Sequence, residues 1–140
     1  MNIHHFMPLI CVLITGSAWA CGGIELENAR IIEAPPGASV LAGYGTLRNP
    51  GNTDIKLTGA DSQDFALIEF HFITPGEPTL RMKLEKELTI PAHGSVVFSP
   101  GKLHMMLFRP SKDFHQGDNI MVNLYCSHDR LRVTLPVKAR

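Results

Sequence analysis

Two histidines and two methionines follow one another along the chain at intervals that suit a metal site. They are His71, Met82, His104 and Met106, with ten, twenty-one and one residue between successive members. Two imidazoles and two thioethers are neutral, soft-to-borderline donors, which suit Cu(I) and suit Mg²⁺, Ca²⁺ or Mn²⁺ poorly. The alternative is structural, because methionine on a strand is most often core filler and a lone histidine is most often a satisfied polar residue. The residue types alone leave both interpretations open.

Short β-strands are predicted to position these side chains, because apolar residues alternate with a period of two and turn residues punctuate the chain. On a strand, His104 and Met106 point to the same face, roughly 6.6 to 7 Å apart. His71 and Met82 lie on consecutive predicted strands joined by a Pro75-Gly76 turn, so hairpin pairing would bring them together. The pattern predicts an all-β fold, either an antiparallel sandwich or a small Greek-key barrel. The predicted strands are 24–32, 40–47, 54–60, 65–73, 79–84, 87–90, 95–98, 103–108, 119–125 and 130–137.

Composition predicts one ordered domain and excludes several classes of function. The 140 residues carry 13 Lys+Arg against 13 Asp+Glu, and 44% are hydrophobic. Since like charges form no block, neither a nucleic-acid footprint nor a polybasic membrane-surface patch is expected. No G-x-S-x-G element occurs, so we expect no hydrolase and no other enzyme. A blue-copper site at Cys126-Ser127-His128 also fails, because no methionine follows to act as axial ligand.

The first twenty residues have the features of a secretory signal peptide. They contain no Asp, Glu, Lys or Arg, and their apolar run from Met7 to Ile14 is too short to span a bilayer. The small residues of Ala18-Trp19-Ala20 suit cleavage before Cys21. We therefore predict a cleaved signal peptide over 1–20 and a single domain over 21–140, delivered to the periplasm; the structural alternative is a buried N-terminal helix.

Cys21 and Cys126 remain after that cleavage, and their fate is open from sequence. In an oxidising compartment the default for two cysteines is a disulfide, which stabilises by about 2 to 4 kcal/mol through the unfolded state. Cys21 could instead carry the lipid of a bacterial lipoprotein and tie the chain to a membrane. Cys126 would then be a small buried hydrophobe. Ala18 and Trp19 fit a lipoprotein signal poorly, which favours the soluble form.

The intervals between the four candidate ligands match the H(M)-x10-M-x21-H-x-M signature of the periplasmic copper chaperone family PCuAC, which this chain resembles over roughly 24–137. Two departures replace family glycines by His93 and Lys102, and a third puts Asn28-Ala29-Arg30 where Trp-Ala-Arg is usual; none removes a ligand. Further segments that carry the resemblance are Ala42-Gly43-Tyr44-Gly45-Thr46-Leu47-Arg48-Asn49, Ile90-Pro91-Ala92-His93-Gly94, Ser99-Pro100-Gly101-Lys102-Leu103-His104-Met105-Met106-Leu107 and Gly117-Asp118.

The resemblance implies a cupredoxin-like β-sandwich, a monomer that binds one Cu(I) at an exposed site. Carried over by position, the ligands are His71, Met82, His104 and Met106. The implied acceptor is the dinuclear copper centre of the cytochrome oxidase copper subunit, alongside a Sco-type partner. The competing expectation is a metal-free extracytoplasmic binding or adhesion sandwich, lipid-anchored if Cys21 is acylated.

Overall fold

The computed structural model describes residues 19–74 and 82–140, and for Met82 and Lys83 the backbone only. Within these ranges the chain forms ten β-strands and one short 3-10 helix, η1, at Ala20–Gly23, which confirms the all-β prediction. No helix in this part of the chain is long and apolar enough to cross a membrane. The predicted turn at Pro75-Gly76 and the predicted strand residues 79–81 lie outside the described residues. The strands are β1 Glu25–Ile32, β2 Val40–Arg48, β3 Ile55–Asp61, β4 Phe65–Ile73, β5 Met82–Glu85, β6 Leu88–Ile90, β7 Ser95–Phe98, β8 His104–Pro110, β9 Asn119–Cys126 and β10 Asp129–Lys138.

The strands form one sheet that closes on itself. Its order is β5-β4-β8-β2-β1-β10-β9-β3-β6, β7 adds to β2, and a pairing of Ala60 in β3 with Ile68 in β4 completes the ring. The described pairs are antiparallel except for β1 and β10, which run parallel with Ile31 opposite Val137. This pair departs from the purely antiparallel expectation. Parallel neighbours need a long crossover connection, and the whole domain between its first and last strands supplies one.

The core lies on the inner face of this sheet, where the period-two alternation places the apolar side chains. In β2, half-buried and buried residues alternate from Val40 to Leu47. Ile31, Leu107 and Ile120 have no exposed surface. Burying a side chain of this size contributes about 1.5 to 3 kcal/mol, so the apolar stripe of each strand fixes which of its faces looks inward.

A glycine lets β2 lie close to an irregular stretch of β1. The register of β1 shifts between Glu27 and Arg30, and Asn28 adopts a left-handed φ of 52°. Gly45 faces this bulge with φ of 154°, and a Cβ there would lie 3.2 Å from both the Ala29 Cα and the Glu27 carbonyl oxygen. Glycine therefore permits the close approach that keeps β2 between β1 and β8.

A buried amide ties the loop after β2 to β6. Asn49 has no exposed surface. Its Nδ2 donates to the carbonyls of Thr53 at 2.8 Å and Ile90 at 3.1 Å, and its Oδ1 accepts from the backbone N–H of Gly51 at 3.0 Å. The side chain thus satisfies backbone groups that would otherwise be buried without partners.

We expect Asn49→Ala to lower the free energy of unfolding by about 1 to 3 kcal/mol, because it leaves buried backbone groups unpaired. Urea denaturation followed by circular dichroism measures the change. Asn52→Ala, an exposed asparagine of the same loop, is the control and should stay within about 0.5 kcal/mol of the unmodified protein. Equal stabilities for the two variants would show that the Asn49 amide does not hold this loop.

Candidate metal centre

Strands β4 and β8 bring two of the candidate ligands directly opposite each other. Their antiparallel register pairs His71 with His104 and Glu69 with Met106. Residues opposite each other on neighbouring strands point to the same face, with Cβ atoms about 4.5 to 5.5 Å apart. The intervening Met105 is almost completely buried in the core. His71, His104 and Met106 therefore share the face of the sheet that is turned away from the core.

The distance between the two imidazoles suits one metal ion between them. The ring centres of His71 and His104 are 6.4 Å apart and the ring planes are inclined by 39°. Metal–nitrogen bonds of about 2 Å each, as for zinc, together with the distance from each nitrogen to its ring centre, span a gap of this size. The two rings stand far enough apart to leave room for an ion.

A carboxylate fixes the tautomer of His71. The Nε2 atom lies 2.7 Å from Oε2 of Glu69, on the same strand and the same face. A carboxylate only accepts hydrogen bonds, so Nε2 carries the hydrogen and the Nδ1 of a neutral ring carries the lone pair. Among the described residues, this Nδ1 is the one buried side-chain nitrogen or oxygen without a hydrogen-bond partner. An atom of that kind is a candidate metal-ligating nitrogen.

A backbone carbonyl fixes the tautomer of His104, here through the Nδ1 atom of the ring. Its Nδ1 lies 2.8 Å from the carbonyl oxygen of Lys102, which only accepts, so Nδ1 carries the hydrogen and Nε2 the lone pair. The turn before β8 presents this carbonyl: Gly101 has a left-handed φ of 74° and the Lys102 N–H donates to Ser99 at 3.2 Å. The two histidines thus offer Nδ1 of one ring and Nε2 of the other.

The site opens into a cavity of about 270 Å³ lined in part by His104, Met106 and Tyr44. The side chain of His71 is 14% exposed and His104 is 5% exposed. The histidines are therefore less exposed than the resemblance implies. His71 lies on β4 between β5 and β8, and His104 lies on β8 between β4 and β2, so each histidine has a neighbouring strand on both sides.

Met82, the remaining candidate ligand, begins β5. Its backbone pairs with Ile73, two residues along β4 from His71. The structure describes the backbone of Met82 and not its side chain. Three of the four candidate ligands thus share one face, and the backbone of the fourth, Met82, lies on the neighbouring strand β5. No three His, Cys, Asp or Glu residues within 19–74 and 82–140 form a group that could hold a metal. The candidate ligands described at this face are two imidazoles and a thioether, and the Glu69 carboxylate beside them is hydrogen-bonded to His71.

Sequence reasoning missed Glu69 and the carbonyl of Lys102. Glu69 stands two residues before His71, and that spacing on a strand signals a shared face. The Lys102 carbonyl could not be found from the sequence, because every residue type has a backbone carbonyl.

The cysteines lie in another part of the fold. Cys21 and Cys126 form a disulfide with a Cα–Cα distance of 5.8 Å. Their sulfurs are therefore bonded to each other, and neither is a thiolate for a metal.

Solved structures with the same fold are PCuAC domains. The copper-bound PCuAC domain from PmoF2 superposes with a TM-score of 0.73 at 22% identity, covering 86% of this chain and 97% of that one. The solution structure of CuI-DR1885 from Deinococcus radiodurans gives a TM-score of 0.66 at 27% identity, covering 86% and 81%. These likenesses confirm the predicted cupredoxin-like fold.

A relative and a family model complete the comparison. "Uncharacterized protein RP573" from Rickettsia prowazekii (strain Madrid E) is 29% identical over 83 residues, which are 59% of this chain and 46% of that protein. The match thus spans about half the length of the relative. The model of the family described as "Putative lipoprotein LpqE-like" matches residues 24–137. Because that match covers nearly the whole described domain, the chain belongs to the LpqE-like family.

Proposed function

We propose that this chain is an extracytoplasmic copper chaperone that holds one Cu(I) with His71, Met82, His104 and Met106. The observation that carries the proposal is the pair of facing imidazoles whose lone pairs are left free by their own hydrogen bonds. The likeness to CuI-DR1885, which holds Cu(I), supports the choice of metal.

The buried Nδ1 of His71 supports a ligand at this position. A buried nitrogen without a partner costs about 1 to 3 kcal/mol, and none of the described residues forms a hydrogen bond with this one. A metal ion bound to Nδ1 would remove that cost. Because the Glu69 carboxylate already holds Nε2–H, no change of tautomer is needed when the ion arrives.

The donor set favours Cu(I) over other cations. Thioethers are soft ligands that select Cu(I), whereas Mg²⁺ and Ca²⁺ require oxygens. Thioethers also persist in an oxidising compartment, where free thiolates become disulfides, as the bonded pair Cys21–Cys126 does here. A periplasmic location is consistent with this chemistry.

Transfer to a partner would proceed from the cavity side. Both Met106 and His104 line the cavity, but Met106 is half-buried whereas His104 is nearly covered. An acceptor's ligands would therefore replace the thioether first and the histidines later. We propose that the protein acts as a monomer and that its acceptor is the copper subunit of cytochrome oxidase, with a Sco-type partner. This part of the proposal is supported by the resemblance to PCuAC proteins.

We expect His104→Ala and Met106→Ala each to lower Cu(I) affinity at least about tenfold, or about 1.4 kcal/mol, because each removes one donor. Anaerobic competition with a coloured Cu(I) chelator measures the affinity. Met121→Ala is the control: Met121 also lies on a strand, is exposed, and its sulfur accepts from Thr134.

The unmodified protein should bind one equivalent, and Met121→Ala should bind equally well. Unchanged affinity in both site variants would remove His104 and Met106 from the site. No competition by the unmodified protein at any ratio would contradict copper binding and favour the metal-free binding sandwich.

We expect Glu69→Ala to weaken Cu(I) binding by about tenfold, because the His71 ring loses the acceptor that fixes its tautomer. Glu69→Gln keeps an amide oxygen that accepts from Nε2–H, so its loss should be smaller. The affinity is measured by the same competition, and ¹⁵N NMR of the copper-free protein reports the tautomer. Equal affinities, with His71 in the same tautomer in all three proteins, would show that Glu69 does not position the ring.

A further inference from the structure

The residue after the predicted cleavage point is tied to the turn between β9 and β10. Cys21 and Cys126 are both buried, at 4% exposed, and are joined by the disulfide. Cys126 ends β9 and pairs with Asp129, the first residue of β10, across the two-residue turn Ser127-His128. One short hairpin turn therefore supplies both the sulfur that holds Cys21 and a neighbouring carboxylate.

That carboxylate, of Asp129, accepts a hydrogen bond from the backbone N–H of Cys21. The Cys21 N–H donates to Oδ2 of Asp129 at 2.7 Å, and Oδ1 accepts from the N–H of Arg130 at 2.7 Å. These two hydrogen bonds hold the pKa of the Asp129 carboxyl below its ordinary value. Asp129 is therefore ionised at neutral pH and accepts from the nitrogen of Cys21.

We propose that Cys21 is the first residue of the mature chain, that its new α-ammonium forms an ion pair with Asp129, and that its sulfur carries the disulfide and no lipid. Hydrolysis of the Ala20–Cys21 peptide bond adds one water. The carbonyl leaves as the carboxylate of Ala20, and the nitrogen remains on Cys21 as –NH₃⁺. An α-amino group has an ordinary pKa of about 7.7 to 8.0, so it is protonated at pH 7.

The backbone at Cys21 is suited to this cleavage. Cys21 has a left-handed φ of 52°, which is costly for a residue with a Cβ. The φ angle is defined by the carbonyl carbon of Ala20, so cleavage of the Ala20–Cys21 bond removes this restriction on Cys21. Trp19, on the leader side of the bond, is 74% exposed. Gly22, on the mature side, packs so closely that a Cβ would lie 2.8 Å from the Ile55 side chain. The Trp19 side chain is thus largely exposed, whereas its carbonyl oxygen accepts from the Gly22 N–H at 3.1 Å, a hydrogen bond that cleavage would give up.

The disulfide and a lipid compete for one atom. Lipidation would convert the Sγ–H of Cys21 into a thioether, whereas the disulfide forms when the thiols of Cys21 and Cys126 reduce an external disulfide, R–S–S–R, to two R–SH. Each reaction consumes the same sulfur. The sulfur of Cys21 lies 3.9 Å from the carbonyl of Leu124 in the buried interior. A sulfur that is bonded to Cys126 in the disulfide has no valence left for a thioether to a lipid.

Intact-mass measurement of the full chain, expressed with its own leader in a bacterium that has a periplasm, tests the N-terminus and the sulfur. We expect a protein released without detergent, with the mass of residues 21–140 less two hydrogens, that takes up two alkyl groups only after reduction. A membrane-bound product heavier by acyl groups, a different first residue, or thiols alkylated without reduction would overturn the proposal.

The ion pair has a separate test, because Asp129→Asn keeps the size of the side chain and removes its charge. We expect the α-amine of the unmodified protein to titrate above the ordinary range of about 7.7 to 8.0, and that of Asp129→Asn to return to it. The rate of α-amine acetylation against pH, read by peptide mass, reports the pKa. Asp113→Asn is the matched control, since Asp113 accepts a backbone N–H from distant Gly37 at 2.9 Å. Identical titration in all three proteins would refute the ion pair.

The ion pair between the Cys21 α-ammonium and Asp129 should also make the free energy of unfolding depend on pH. Asp129 has a lowered pKa, so its contribution is present above about pH 4 and is lost as pH falls through the folded value. The α-ammonium would have a raised pKa, so its contribution is present below about pH 8 and is lost as pH rises further. The difference in urea midpoint between the unmodified protein and Asp129→Asn should therefore be largest between about pH 5 and 7. A difference that stays constant up to pH 10 would contradict a charged partner.

Discussion

The antiparallel pairing of β4 with β8 is the constraint on which the candidate site depends. It sets His71 opposite His104, and it is held in register from the other face. Phe70 on β4 and Met105 on β8 are both nearly fully buried in the core. A one-residue slip would turn the polar face of one strand inward and expose its apolar face. The hydrophobic core therefore fixes the distance between two imidazoles that do not belong to it.

Hydrogen bonding then decides what those imidazoles can do. A histidine placed on a sheet face can present either nitrogen, and the choice is made by the acceptor that holds the other one. His71 gives one nitrogen to Glu69 and His104 gives one to the Lys102 carbonyl. The tautomers of both rings are thus set without a ligand, so binding at these nitrogens needs no proton shift on either ring. The cavity beside Met106 leaves one side of this face open.

The strands were predictable from sequence because burial on a sheet appears directly as period-two alternation. The shared face of His104 and Met106 follows from the same rule. The order of the strands in the sheet could not be predicted, because it depends on contacts between distant parts of the chain. The parallel closure of β1 on β10 and the burial of His104 both depend on that order. Asn49 was visible as part of a family segment, but its buried hydrogen bonds were not.

X-ray absorption of the Cu(I)-loaded protein would identify the ligands of the metal, because it distinguishes nitrogen from sulfur neighbours. We expect both imidazole nitrogen and thioether sulfur around the copper, with less sulfur in the Met106→Ala protein and an unchanged spectrum in Met121→Ala. A shell of nitrogen and oxygen alone would contradict this expectation, as would a spectrum that Met106→Ala leaves unchanged.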